Sequence, residues 1–153
     1  MFHIILYQPE IPPNTGNIIR LCANSGCSLH LIPPLGFTLE DAQMKRAGLD
    51  HSERILPMTH DSLEHCLDYL KHPPCYGFST KATTTFTSVS FKHGDAFLFG
   101  SETKGLPDLL LKQFSQTLVK IPVLKPSRSL NLSNAVAIAV YEGLRQLNYP
   151  MNG

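Results

Sequence analysis

The run Phe2 to Tyr7 is apolar at nearly every position and breaks at once into the proline-rich stretch Gln8 to Pro13. A strand with no polar face must be covered on both sides, and strands of that kind belong to parallel sheets with helices packed on each face. The pattern recurs at Ser28 to Ile32, Cys75 to Thr80, Asp95 to Phe99 and Leu118 to Ile121, which Pro122 ends. Helical signals fall between these runs. Asn14 or Thr15 is the expected cap of a first helix whose apolar face is Ile18, Ile19, Leu21, Cys22 and Ala23, and Gly26 stops it. Glu40 to Ala47 suits a short helix ended by Gly48. Asp61 and Glu64 have the spacing of a capping box, and Leu63, Cys66, Leu67 and Leu70 recur at helical spacing behind them. Pro107 opens a helix through Phe114, the polar stretch Lys81 to Thr87 reads as a loop, and a long last helix begins near Asn131. The fold class implied is α/β, a Rossmann-like parallel sheet in a single domain over residues 1–153.

Composition narrows the function. Of 153 residues, 42% are hydrophobic and 16% charged, which suits a globular chain and not a disordered one. The formal net charge is +1, so any nucleic-acid site has to be a local patch and not a product of bulk charge. No apolar run approaches the length of about 20 residues that spans a bilayer, and Met1 to Tyr7 leads directly into a strand, so a cytoplasmic protein is expected. Cys22, Cys27, Cys66 and Cys75 form no CxxC pair and read as core thiols. The seven histidines show neither HExxH nor zinc-finger spacing, and no metal is expected.

Three loops at predicted strand ends share one character. They are Pro12 to Arg20, Gly100-Ser101-Glu102-Thr103-Lys104-Gly105-Leu106-Pro107, and Pro126 to Asn134. In open parallel sheets ligands gather outside the carboxyl ends of the strands. The chain has no GxGxxG after its first strand, no P-loop GK[ST] and no GxSxG elbow, which disfavours dinucleotide binding, NTP hydrolysis and serine hydrolysis. What remains is a ligand held largely by the backbone of glycine-containing loops.

Taken together, Asn14 to Arg20, Phe99 to Pro107 and Ser129-Leu130-Asn131-Leu132-Ser133-Asn134-Ala135-Val136 running to Tyr141-Glu142 resemble the three motifs of the SPOUT RNA methyltransferases. Leu6 to Ala23 and Arg46-Ala47-Gly48-Leu49-Asp50 are similar to the one-domain TrmL (YibK) group. The resemblance implies a C-terminal deep trefoil knot whose loops hold S-adenosylmethionine in a bent form. It implies methylation of the ribose 2′-oxygen of the wobble cytidine or uridine, in leucine tRNAs. Ser101 stands where the family often has proline and Lys104 where it often has arginine, so the positioning of RNA is expected to differ in detail.

On that resemblance, Phe78, Gly100, Ile121 and Ser129 are the expected cofactor contacts. Arg20, Glu102, Asn131 and Tyr141 are the expected catalytic group, and Asn14, Arg46, Lys104 and Arg128 are expected to meet the substrate. Arg20 is the family's proton-handling position. Because a guanidinium stays protonated, Arg20 is expected to orient a substrate phosphate and stabilise the developing alkoxide. With so little net charge, Arg20, Lys45, Arg46, Arg54, Lys81, Lys104, Arg128 and Arg145 must cluster across a homodimer to hold tRNA. The last helix is apolar around Ala135 to Val140, which suggests one side on the sheet and the other on a second subunit. Two alternatives compete with this reading. A catalytically silent knotted module that binds cofactor or tRNA conflicts with the presence of Arg20, Glu102, Ser129 and Asn131. A flavodoxin-like nucleotide binder conflicts with the third motif.

Overall fold

A computed structural model gives the fold of residues 1–39, 56–125 and 129–151. The expected helix at Glu40 to Ala47, and with it Arg46, lies outside the described residues, as do Lys45, Arg54 and Arg128. Among the described residues six strands, β1 (His3–Tyr7), β2 (Ser28–Ile32), β3 (Met58–Thr59), β4 (Cys75–Phe78), β5 (Ala96–Phe99) and β6 (Leu118–Val119), form one sheet in the order β3-β2-β1-β5-β4-β6. Every pairing is parallel. Among the described residues four helices accompany it: α1 (Pro12–Ser25), α2 (Leu63–Tyr69), α3 (Asp108–Gln113) and α4 (Leu132–Gln146).

The apolar strands are apolar because both faces are covered. Ile4 and Leu6 of β1 point with Leu29, Leu31, Phe97 and Phe99 into a core completed by Ile18, Ile19 and Cys22 of α1 and Val136, Ala139 and Val140 of α4. Their neighbours Ile5, Ile32 and Leu98 pack on the other side against Leu63, Cys66 and Leu67 of α2 and Leu110 of α3. Phe2 stacks on Phe97 with ring centroids 4.7 Å apart, and Phe97 also meets Phe91 and Phe78. All four cysteines are buried and free, and burial pushes the Cys66 and Cys75 thiols up to about 12.

Several boundaries differ from the sequence expectation for identifiable reasons. Neither Asn14 nor Thr15 caps α1; Ile11 is the N-cap, and Asn14 and Thr15 are buried inside the helix. Pro12 and Pro13 carry no N–H, so the first turn has fewer donors to satisfy. At α2 the cap is Ser62, whose Oγ accepts from the His65 N–H at 3.0 Å, one residue beyond the expected Asp61. Strands β4 and β6 stop short of Thr80 and Ile121, and Asp95 precedes β5. The residues that follow β4 and β6 leave the sheet to wall a cavity. The polar loop after β4 contains a short 3-10 turn, Phe86–Ser88, with Phe86 buried. Asn131, near which the last helix was expected to begin, caps α4, accepting from the Asn134 N–H at 3.2 Å. That helix is less uniform in its setting than its sequence: Val136, Ala139, Val140, Gly143 and Leu144 are buried, while Ile138 and Tyr141 are 42% and 43% exposed.

Candidate active site

Strands β5, β4 and β6 are parallel neighbours, so their carboxyl ends lie side by side. The segments that leave them, together with the start of α4, enclose a cavity of about 390 Å³. Phe78, Ile121, Val123, Leu132 and Leu106 give it apolar walls, and Ser79, Thr80, Ser101, Thr103 and Ser129 add polar groups. Lys81 and Lys104 also line it. A cavity of this size, with apolar walls and polar groups in about equal measure, suits a small molecule that carries both kinds of surface.

The turn at its floor depends on two glycines. A Cβ on Gly100 would lie 2.0 Å from the Gly105 carbonyl carbon, so only hydrogen allows the chain to fold back so closely. Gly105 sits at φ +65°, a left-handed conformation that L side chains rarely adopt, and its N–H donates to the Ser101 carbonyl at 2.9 Å. Phe78 stacks on Phe99 at 4.7 Å, which fixes the ring at the cavity wall while leaving one part of it in the core.

A polar network joins the three motif loops. The Glu102 carboxylate accepts from the backbone N–H groups of Glu10 and Ile11, each at 2.8 Å, and from Asn14 Nδ2 at 3.2 Å. Asn14 Oδ1 in turn accepts from Asn131 Nδ2 at 3.0 Å, and Asn131 Oδ1 accepts from Ser133 Oγ at 2.7 Å. In the reverse direction, Glu10 accepts from the Thr103 hydroxyl at 2.6 Å and the Thr103 N–H at 3.2 Å. Those bonds hold the Glu10 carboxyl below its usual pKa. The start of α1, the 100–105 turn and the cap of α4 are therefore one hydrogen-bonded unit.

The four expected cofactor residues, Phe78, Gly100, Ile121 and Ser129, all line the cavity, as do Glu102 and Lys104. Asn14 and Asn131 stand behind it in the polar network. Arg20 and Tyr141 are not among the described residues lining it; both are exposed, on the outer faces of α1 and α4, two helices that pack together. Tyr141 is thus a surface residue, not a core one. Arg145 forms a two-pronged pair with Glu142 of its own helix, at 2.8 and 3.0 Å. The Glu10–Thr103 clamp was not expected from the sequence, and Lys81, expected in the basic cluster for tRNA, instead lines the cavity. The one available signal for Lys81 was its position just after a strand.

Residues 1–141 match the SpoU rRNA Methylase family. The chain belongs to that family. It is 49% identical over 150 residues to the tRNA (cytidine(34)-2'-O)-methyltransferase of Methylovorus glucosotrophus, covering 97% of each chain. A solved structure described as "Structural insights into the 2-OH methylation of C/U34 on tRNA" superposes with a TM-score of 0.90 at 44% identity, covering 97% of both chains. The AviRb methyltransferase of Streptomyces viridochromogenes, solved in complex with the cofactor AdoMet, shares the fold at a TM-score of 0.84 and 21% identity, over 95% of this chain and 57% of that one. In this SpoU methylase the glycine turn and the Glu102 network lie within the Phe99 to Pro107 segment.

Proposed function

We propose that the protein methylates the ribose 2′-oxygen of tRNA nucleotide 34, a cytidine or uridine, with S-adenosylmethionine as donor and leucine tRNAs as the preferred substrates. The observation that carries this reading is the cavity at the ends of β4, β5 and β6, lined by all four expected cofactor residues, in a chain 49% identical to a tRNA (cytidine(34)-2'-O)-methyltransferase. The cavity residues suit the cofactor chemically. Phe78, Ile121 and Leu132 offer apolar surface to a flat heterocycle, the backbone of the 100–105 turn offers its donors and acceptors, and Lys81 and Lys104 complement a carboxylate. When bound, S-adenosylmethionine supplies a methyl group on a sulfonium sulfur.

Transfer to a hydroxyl is an in-line displacement, and the protein's main contribution is alignment, worth on the order of 7 to 11 kcal/mol in favourable cases. Glu102 already accepts three hydrogen bonds from the start of α1. Its role in this scheme is to position the motif loops, not to take the substrate proton. Asn131 fixes Asn14 and the first turn of α4, and Ser129 faces the cofactor. Arg20 orients a substrate phosphate and stabilises the alkoxide, and the proton passes to phosphate or water.

Arg20 and Tyr141 lie on the outer surface of the packed α1 and α4 pair, which supports a homodimer in which these residues serve the cavity of the second subunit. Two-fold dimers are the commonest assembly that buries such a face. The C-terminal deep trefoil knot, the single-domain organisation and a cytoplasmic location belong to the same proposal. For location the direct support is that, among the described residues, no helix is long and apolar enough to cross a membrane. Nucleoside mass spectrometry of tRNA incubated with the purified protein and labelled S-adenosylmethionine tests the activity. Label in 2′-O-methylcytidine or 2′-O-methyluridine at position 34 is the expected result. Cofactor binding without methyl transfer would instead establish the silent-module reading.

A further inference from the structure

Away from the cavity, on the α2 face of the sheet, three residues distant in sequence come together. His30 sits in β2, His60 follows β3 directly, and Cys66 lies in α2. All three are buried, and their ligand atoms lie within 4.8 Å of one another. His30 Nδ1 is 2.9 Å from His60 Nε2, and the other ring nitrogen of His30 is 2.9 Å from Ser28 Oγ, which is itself 2.6 Å from His3 Nδ1. The His60 N–H donates to the Leu31 carbonyl at 3.1 Å, so the backbone that carries the second imidazole is tied to β2. A separate cavity opens at His60 and is bounded also by Asp61, His65, Asp68 and Tyr69.

We propose that His30, His60 and Cys66 form a binding site for a zinc-type divalent cation, with the fourth position open to the cavity beside His60. Two imidazole nitrogens and one thiolate are a donor set for a borderline-soft ion and not for magnesium or calcium. A bound tetrahedral set separates its nitrogens by about 3.3 Å and nitrogen from sulfur by about 3.6 Å. The imidazole pair is therefore close to ligating separation, and the thiol approaches by about 1 Å at most. The cation takes the place of the hydrogen bond between the two rings. His30 then carries its proton on Nε2, toward Ser28 Oγ, as metal-bound histidines usually do with a second partner. His60 carries its proton on Nδ1, and the Cys66 thiol releases its proton to solvent and binds as the thiolate. The spacing of positions 30, 60 and 66 matches no zinc motif, which is why no metal is expected from the sequence alone. Because the three ligands come from β2, the segment after β3 and α2, the ion would clasp the short edge strand to the body of the sheet. This inference does not depend on the methyl-transfer reading.

Titration of the full chain with cobalt(II) under reducing conditions tests it. The expected result is one equivalent bound with a thiolate-to-cobalt charge-transfer band, displaced by zinc, together with a zinc-dependent rise in the unfolding temperature. Cys66→Ser should remove the band, and Cys22→Ser, on the opposite face of the sheet, should keep it. His60→Gln provides a second test and should weaken affinity at least about tenfold. No thiolate band at stoichiometric cobalt, a band that survives Cys66→Ser, or unchanged affinity in His60→Gln would each overturn the proposal.

Discussion

Glu102 commits both carboxylate oxygens to the start of α1, two backbone N–H groups and the Asn14 amide. Glu102→Gln keeps the shape but turns one acceptor into a donor facing N–H groups, and charge-assisted bonds of this kind contribute about 1.5 to 3 kcal/mol each. The variant should lose thermal stability and methyl transfer together, in unfolding and tRNA-methylation assays. Equal loss of activity with no loss of stability would return Glu102 to a direct chemical role. Arg20→Ala should behave differently. Its place outside the described cavity wall predicts cofactor affinity close to the parent's by calorimetry, with methyl transfer reduced about 10²- to 10³-fold, as for a lost oxyanion contact. Asp95 offers a test of pH dependence. It is buried, and burial raises its carboxyl pKa, although it accepts from the Lys92 N–H at 2.8 Å. A raised folded pKa favours the protonated form, so this side chain supports the fold fully at acid pH and loses that contribution as pH rises through its folded value. Asp95→Asn, which keeps the acceptor, should therefore be more stable than the parent at neutral pH. The difference should vanish toward acid pH in denaturant titrations.

At the scale of elements, the 100–105 turn is the piece whose shape the cavity depends on. Gly100→Ala places a methyl group 2.0 Å from the Gly105 carbonyl carbon, so the turn must open. The expected outcome is loss of S-adenosylmethionine binding in calorimetry and a stability cost of about 1 to 3 kcal/mol, the usual scale of overpacking. Retained cofactor affinity would mean that the turn does not shape the site. The α-helices show how far local signals reach. The Gly26 stop was readable because it rests on one backbone angle within its own turn. The start of α1 was not, because the groups that satisfy it come from Glu102, about 90 residues away in the chain.

For the whole molecule, the proposed homodimer is the feature to test, and its proposed contact is the outer surface of α1 and α4. Ala139 is fully buried and Ile138 is 42% exposed, so the two positions on the same helix separate folding from association. Ile138→Glu should leave the subunit folded, shift sedimentation from dimer to monomer at micromolar concentration and abolish tRNA methylation. Ala139→Glu buries a charge in the core and should fail to fold. A parent protein that sediments as a monomer while methylating tRNA would remove the dimer from the mechanism.

The sequence by itself determined the parallel α/β class, since apolar strands such as Ile4 to Leu6 and Phe97 to Phe99 have no face that tolerates water. It also marked the 100–105 turn, because Gly100 leaves no room for a Cβ and Gly105 takes a left-handed conformation that favours glycine. Only the tertiary structure decided which groups meet. The pairing of Glu102 with Asn14, the Glu10–Thr103 clamp and the gathering of His30, His60 and Cys66 depend on strand order, and strand order is set by packing across the whole sheet. The last helix shows the same division. Its sequence is uniformly apolar through Ala135 to Val140, but contact with the sheet on one side alone makes Val136 and Ala139 core and leaves Ile138 and Tyr141 at the surface.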